Sequence, residues 1–425
     1  HQEMFALSLF WLALFATTNF ILEGFLEQDE QSQEDKRCIL PWIHQYGDIN
    51  GEYGLCCFSI FSGGKNTFGK NESPISAFNS QYIKQTRLDM LAGKIVKACD
   101  VCYDWEKQGI QSHRERMNQR FYEYRKLYET TLPDGSLKSP PIYLDFRFGN
   151  LCNFSCRMCG SYASSSWAKE EKYYGRLSLE SPNHYDHWTN NIDFWKDIES
   201  IKKYIKVLYF AGGEPFVQEG HYKLLKLLIK SDLAKNIELD YNTNLSYSGS
   251  FKGDDIEKIW KHFGKVDLWP SIEGYNEKAE YGRKGLNFDL FKENSLRFSE
   301  YIDTFSLVSS IYSISSNIDL IKWIKSIDKT FNITNLTNPS YQSTTVLPKE
   351  LKKYIIAKYK KELSTIKNIN TYEINSVLDS LRHMNSFDDN YLAPKFKERN
   401  VQSDLFRNES FEAVFPELAE WYRNI

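Results

Sequence analysis

Ile142-Tyr143-Leu144-Asp145-Phe146-Arg147-Phe148, followed after Gly149-Asn150-Leu151 by Cys152-Asn153-Phe154-Ser155-Cys156-Arg157-Met158-Cys159, is the stretch on which the fold of this 425-residue chain turns. Its first half is rich in β-favouring residues and reads as a strand; its second half is a loop carrying three cysteines. Downstream, strand signals recur at Val207–Ala211, Ile237–Tyr241, Val266–Ile272, Phe305–Ile311 and, most weakly, Ile333–Leu336. Helical periodicity separates them at Tyr222–Ile229, Asp254–Phe263 and Ile318–Ile327. Strands alternating with helices predict an α/β fold with a parallel sheet, and six such units predict an open or partial (β/α)6 TIM-like barrel. Functional side chains then belong at the C-terminal ends of the strands, where the cysteine loop falls.

The eight cysteines stand at 38, 56, 57, 99, 102, 152, 156 and 159, with none beyond. Gaps of two and three residues in a long, cysteine-poor chain point to metal or cluster ligation in a reducing compartment, not to a disulfide framework. Three thiolates hold three corners of a [4Fe–4S] cube and leave the fourth iron open to a chelating ligand. A structural zinc site wants four closed ligands, and this loop has no fourth; His184 and His187 lie well downstream. A net charge of -3 argues against a nucleic-acid binder, and apolar and aromatic fractions of 41% and 15% support a large core.

Four segments emerge. Residues 1–36 comprise an apolar run, Phe5 to Leu22, near the lower length limit for a bilayer span, and an acidic linker, Glu27 to Asp35. The run has no basic n-region, so it reads as a membrane-associated or extraneous segment, not a signal peptide, on an otherwise cytoplasmic protein. Residues 37–135 form a small cysteine-bearing module, with the turn Ser62-Gly63-Gly64-Lys65-Asn66, and a connecting helix over Asp104–Leu132. Residues 136–340 carry the barrel pattern, and 341–425 read as mostly helical.

C-x3-C-x2-C after the first strand of an αβ barrel resembles the signature of the radical SAM superfamily. The resemblance implies a [4Fe–4S] cluster on Cys152, Cys156 and Cys159 whose open iron takes the amino and carboxylate groups of S-adenosylmethionine (SAM). Reductive cleavage then gives methionine and a 5′-deoxyadenosyl radical, which abstracts hydrogen from a substrate. Met158 stands where the family usually has an aromatic residue whose backbone contacts the adenine. Ala211-Gly212-Gly213-Glu214-Pro215 is similar to the family's GGEP motif, which holds the methionine amino group; two glycines admit close backbone approach, and a carboxylate suits an ammonium. Asn242-Thr243-Asn244 and Ser271-Ile272-Glu273-Gly274 resemble the third- and fourth-strand cofactor segments, with Glu273 in place of Asp, and Arg283 resembles an arginine facing the cofactor carboxylate. Asn317 is a weaker candidate of the same kind.

The earlier cysteines resemble the auxiliary-cluster modules called SPASM and twitch, here placed before the barrel as in N-terminal-twitch radical SAM proteins. That likeness runs over about residues 37–420, including Asp404-Leu405-Phe406-Arg407 and Phe415-Pro416-Glu417. It implies Cys38, Cys99, Cys102 and one of Cys56 or Cys57 as ligands, since neighbours on a strand point to opposite faces. Four cysteines also suit a structural zinc. The family further implies a flavodoxin- or ferredoxin-type electron donor, and a peptide or small hydroxylated metabolite as substrate, with net oxidation assisted by the second cluster. No winged peptide-binding module precedes the barrel, and no catalytic base is named by the sequence. Trp167, Tyr173, Tyr174, Trp188 and Trp195 of the first crossover read mainly as core. Two competing classes remain: a zinc-bearing structural protein on a degenerate barrel, and a SAM-binding module without turnover.

Overall fold

The computed structural model describes residues 35–59, 73–107, 109, 111–185, 190–246 and 250–425. The apolar run 5–22, nearly all of the acidic linker, the turn 62–66, His187 and Trp188 lie outside the described residues.

Among the described residues ten strands are formed: β1 His44–Gly47, β2 Tyr53–Gly54, β3 Tyr143–Phe146, β4 Ser155–Cys156, β5 Val207–Phe210, β6 Glu238–Thr243, β7 Lys265–Ile272, β8 Arg283–Lys284, β9 Thr304–Ser309 and β10 Thr330–Asn335. Eight make one sheet in the order β10-β9-β7-β6-β5-β3-β1-β2. From β3 to β10 the spatial order is the chain order and every pairing is parallel, the arrangement of a partial (β/α)6 barrel that stays open. The six expected strands all form, with ends shifted by at most three residues.

Period-two patterning explains the two faces of the sheet. In β7, Val266, Leu268 and Ile272 are buried against the helix layer while Lys265, Asp267, Trp269 and Ser271 point to the inner face. The helix Glu219–Lys230 returns Leu224, Leu225 and Leu228 to that layer, and Asn317–Ser326 buries Asn317, Leu320, Ile321 and Ile324 at the i, i+3, i+4, i+7 spacing of a core-facing helix. The helix Ile192–Ile201 starts where Asn191 accepts from the Asp193 and Phe194 amides, a cap worth about 1 kcal/mol.

Two expectations need correction. The connecting helix over Asp104–Leu132 is broken into Asp100–Lys107, His113–Arg120 and a 3-10 stretch Tyr122–Thr130, since Ser112 starts a new helix with a capping box to Glu115. The helix expected over Asp254–Phe263 is a short Ile256–Trp260. The N-terminal module joins the barrel sheet: β1 runs parallel to β3, in register His44↔Tyr143 to Gly47↔Phe146. No helix among the described residues is long and apolar enough to cross a membrane.

Candidate functional site

Cys152, Cys156 and Cys159 sit in the loop leaving β3, each half-buried and none in a disulfide. Cys156 lies on β4, which pairs antiparallel with β8 so that Cys156 faces Arg283 across the ladder. The loop is held by its carbonyls: Trp167 Nε1 donates to Cys156 O at 2.8 Å and Ser166 Oγ to Cys152 O at 2.7 Å. Two N–H groups address the Cys152 sulfur, Phe154 N at 3.5 Å and Asn244 Nδ2 at 3.9 Å. Cys156 is pushed up to about 11 and Cys152 and Cys159 up to about 12, chiefly by burial, with Glu214 and then Cys156 adding at Cys152 and Cys156 adding at Cys159. A thiolate set so disfavoured in the free protein needs positive charge to form, as a bound metal would supply.

The later strand ends converge on this loop. Gly212 and Gly213 both have positive φ, 78° and 57°, and a Cβ on Gly213 would stand 2.4 Å from Leu151 O. Only glycine lets the β5 turn lie against the cysteine loop. The Glu214 carboxylate does not reach outward as an ammonium receptor. Oε1 accepts from Thr243 Oγ1 at 2.7 Å and from the Phe216 amide, and Oε2 accepts from the Asn244 amide at 2.7 Å. Glu214 therefore ties the end of β5 to the end of β6, and burial raises it to about 7 against those three hydrogen bonds. Pro215, buried, opens the short 3-10 turn that follows. Asn244, a further candidate, bridges Asn153 and Cys152.

Glu273 and Arg283 are also brought together: Nε donates to Oε1 at 2.8 Å and Nη2 to Oε2 at 2.6 Å, both side chains buried. This bidentate pair places the guanidinium beside Cys156 and Cys159, where its charge favours both thiolates. Asn317 accepts from the Gly274 amide at 2.8 Å, fixing the turn after β7. Ser271 lies on the inner face in register with Ser306, and Met158 is half-buried beside Cys159.

Within the N-terminal module, Cys38, Cys56, Cys99 and Cys102 gather. Cys38 and Cys102 are buried, Cys56 and Cys99 half-buried, and burial followed by neighbouring thiols raises Cys56 and Cys99. Burial raises Cys38, to about 12, and Cys102 as well, and the nearby cation of Arg114, paired with Glu106 at 2.7 Å, offsets a small part of that rise. Cys57 looks the other way. After burial, its thiol is governed by Asp145 on β3, then by Cys56 and Arg147. The two adjacent cysteines part company in a turn beyond β2, not along a strand as the sequence suggested.

Sequence reasoning passed over Arg157, which lies between two of the cysteines. Its side chain is 1% exposed; Nη2 meets Asp404 Oδ1 and Glu409 Oε2, both at 2.6 Å, and its Cζ lies 3.7 Å from the Tyr281 ring centroid. Arg407 pairs with Glu170 at 2.8 Å and donates to Ser155 O at 2.9 Å. The Asp404–Arg407 motif thus clamps the C-terminal helix onto the cysteine loop, and Glu417 pairs with Lys278. Nothing in the local sequence around Arg157 names partners some 250 residues away. His184 is exposed, as are Tyr173 (71%) and, in part, Tyr174, whereas Trp167 is core.

Arg147 was also overlooked. It pairs with buried Asp145 (2.9 Å), lies over Tyr46 and Tyr209, and its stem fills the space a Cβ on Gly212 would need. It therefore touches the module, the barrel and the glycine turn at once.

No family model matches this chain, and no curated protein does. Among solved structures, Streptococcus suis SuiB bound to its precursor peptide SuiA is similar at 13% identity with a TM-score of 0.34, over 66% of this chain and 63% of that one. SuiB bound to S-adenosylmethionine gives 12% identity and 0.32, over 65% and 64%. The chain thus spans under two thirds of either SuiB structure. The overlap is shallow, and it is the chain's own residues that bear on function.

Proposed function

We propose that this protein is a radical SAM enzyme with a second iron–sulfur cluster in its N-terminal module. The observation that carries this reading is the three-thiol loop at the end of β3, converging with the Gly212-Gly213 turn, Asn244 and the Glu273–Arg283 pair on one site. Three ligands and no fourth suit a [4Fe–4S] cluster with a vacant corner. When bound, such a cluster supplies the electron that cleaves SAM to methionine and a 5′-deoxyadenosyl radical, the species that takes a hydrogen atom from substrate.

The chain's own residues bind and orient. Backbone groups of Gly212 and Gly213 are bare enough to receive the methionine ammonium; the Glu214 side chain holds that turn in place. Arg283, fixed by Glu273, offers its cation near the cysteines, where a carboxylate would be recognised. Thr243 positions Glu214, Ser271 offers a hydroxyl, and Met158 its backbone. In the module, Cys38, Cys56, Cys99 and Cys102 are the four thiols that fit a closed cluster, leaving Cys57 outside it. The module's cluster would serve as an electron acceptor or relay for a net oxidation of a peptide or small-molecule substrate, with a small flavodoxin- or ferredoxin-type donor.

The test is anaerobic purification, reduction in the presence of SAM, and chromatographic detection of 5′-deoxyadenosine. Wild-type protein produces it. A colourless, zinc-bearing protein that yields none would overturn the reading.

A further inference from the structure

The inner face of the sheet is chemically divided. Its lower rung, toward the N-terminal ends of the strands, is charged and internally neutralised. Asp145 holds Arg147; Asp240 and Glu238 hold Arg120 at 2.6 and 2.9 Å; Asp267 and Glu238 hold Lys265. Asp145, Tyr209, Asp240 and Asp267 lie side by side in register, and the carboxylates of Glu238, Asp240 and Asp267 crowd within 4.8 Å of one another. The guanidinium and ammonium above account for that crowding.

One step nearer the cysteine loop the inner face of β6, β7, β9 and β10 carries no charge. Asn242 stands beside Trp269, and Ser271 beside Ser306, itself beside Asn332. None of these side chains is buried, and none has a hydrogen bond or other partner among the described residues. Trp269 is 37% exposed, although the rest of its strand alternates cleanly between core and inner face. The row crosses four neighbouring strands, about 5 Å apart, next to Ser271 on the cofactor side.

We propose that this row receives the substrate of the radical reaction, and that the substrate's reacting part is an uncharged, hydroxylated ring, a sugar or cyclitol, lying on Trp269 with its hydroxyls on Asn242, Ser306 and Asn332. The inference rests on the radical SAM reading for the chemistry but not for the binding. Amide and hydroxyl side chains both donate and accept, as ring hydroxyls do. An indole presents a broad apolar face with one polar edge, matching the C–H face of such a ring. A phosphate, carboxylate or ammonium brought to this row meets no uncompensated counter-charge on the inner strands, and its desolvation is costly. An extended peptide would pair along a sheet edge, whereas this row runs across the strands.

The full-length, iron-loaded protein is examined by saturation-transfer NMR with myo-inositol and methyl glucoside, beside glucose 6-phosphate, glucosamine and a capped tri-serine peptide. The neutral rings bind with millimolar affinity and the charged sugars at least about fivefold more weakly. Trp269→Ala weakens ring binding about tenfold and Trp269→Phe far less, with Asn242→Ala and Ser306→Ala as independent variants should Trp269→Ala misfold. Tighter binding of a charged sugar or of the peptide, absence of ring binding at about 50 mM, or indifference to all these variants overturns the proposal. Deoxyadenosine formation by the same preparation reports separately on the radical SAM reading.

Discussion

The two thiol sites of this protein differ in how they are closed, and the difference separates a reactive site from a sealed one. The barrel site has three cysteines within eight residues, all in one loop, and its remaining side is faced by backbone glycines, an asparagine amide and a guanidinium. The module site draws its four cysteines from three stretches between residues 38 and 102, lies against an apolar cluster with Trp42, Met90 and Tyr128, and has as many thiols as a [4Fe–4S] cluster has irons. Burial at each site disfavours free thiolates, so a thiolate there would need a bound metal to settle its charge. On the proposed reading, only the first leaves a coordination position for chemistry.

Cysteine substitutions break this comparison most sharply. Cys156→Ala abolishes deoxyadenosine formation and removes the iron of the barrel site, as read by metal analysis and electron paramagnetic resonance. Cys56→Ala removes the module's iron, whereas Cys57→Ala retains it; equal losses from both would place the module's ligands differently. Next comes the clamp on the barrel loop. Arg157→Met leaves Asp404 and Glu409 without their buried cation and costs about 3–5 kcal/mol in denaturant unfolding. A loss within error would mean that the C-terminal helix is not held by this pair.

Arg147 lies between the two sites and sharpens the comparison. Arg147→Met frees the Gly212 turn and unpairs Asp145, so SAM affinity falls about tenfold in equilibrium dialysis while iron at the barrel site is kept. Unchanged affinity would uncouple the ion pair from the cofactor turn.

The smallest effect lies away from both. His221 is fully buried and burial lowers it to about 3, so it contributes stability above pH 6.5 that is lost as pH falls toward 3. Asp145 and Asp240, raised to about 6, act in the opposite direction: their contribution is present below the ordinary aspartate range and lost as pH rises through 6. His221→Phe should therefore flatten the decline of unfolding free energy between pH 7 and 5 by up to about 2 kcal/mol. An identical pH slope in both proteins would contradict it.

Local chemistry was legible in the sequence and long-range closure was not. Strand positions followed from alternation, as in Val266, Leu268 and Ile272, and the cysteine loop from spacing alone. Glu214 illustrates the limit: a carboxylate beside two glycines suggested an ammonium partner, but its oxygens are taken by Thr243 and the Asn244 amide, one strand away. The pairing of β1 with β3 was hidden because a four-residue strand carries little period of its own. Likewise, Arg157 shows no sign in its neighbours that Asp404 and Glu409 await it. Cys56 and Cys57 are separated only by what each side chain meets across the fold.

The vacancy of one cluster corner is tested most directly in Cys56→Ala protein, which keeps only the barrel site. Reduced anaerobically, it should give a single cubane resonance whose g-values shift when SAM is added, since the sulfonium donor's amino and carboxylate groups reach the unligated iron. A cluster signal indifferent to SAM, or zinc in place of iron at Cys152, Cys156 and Cys159, would contradict the account.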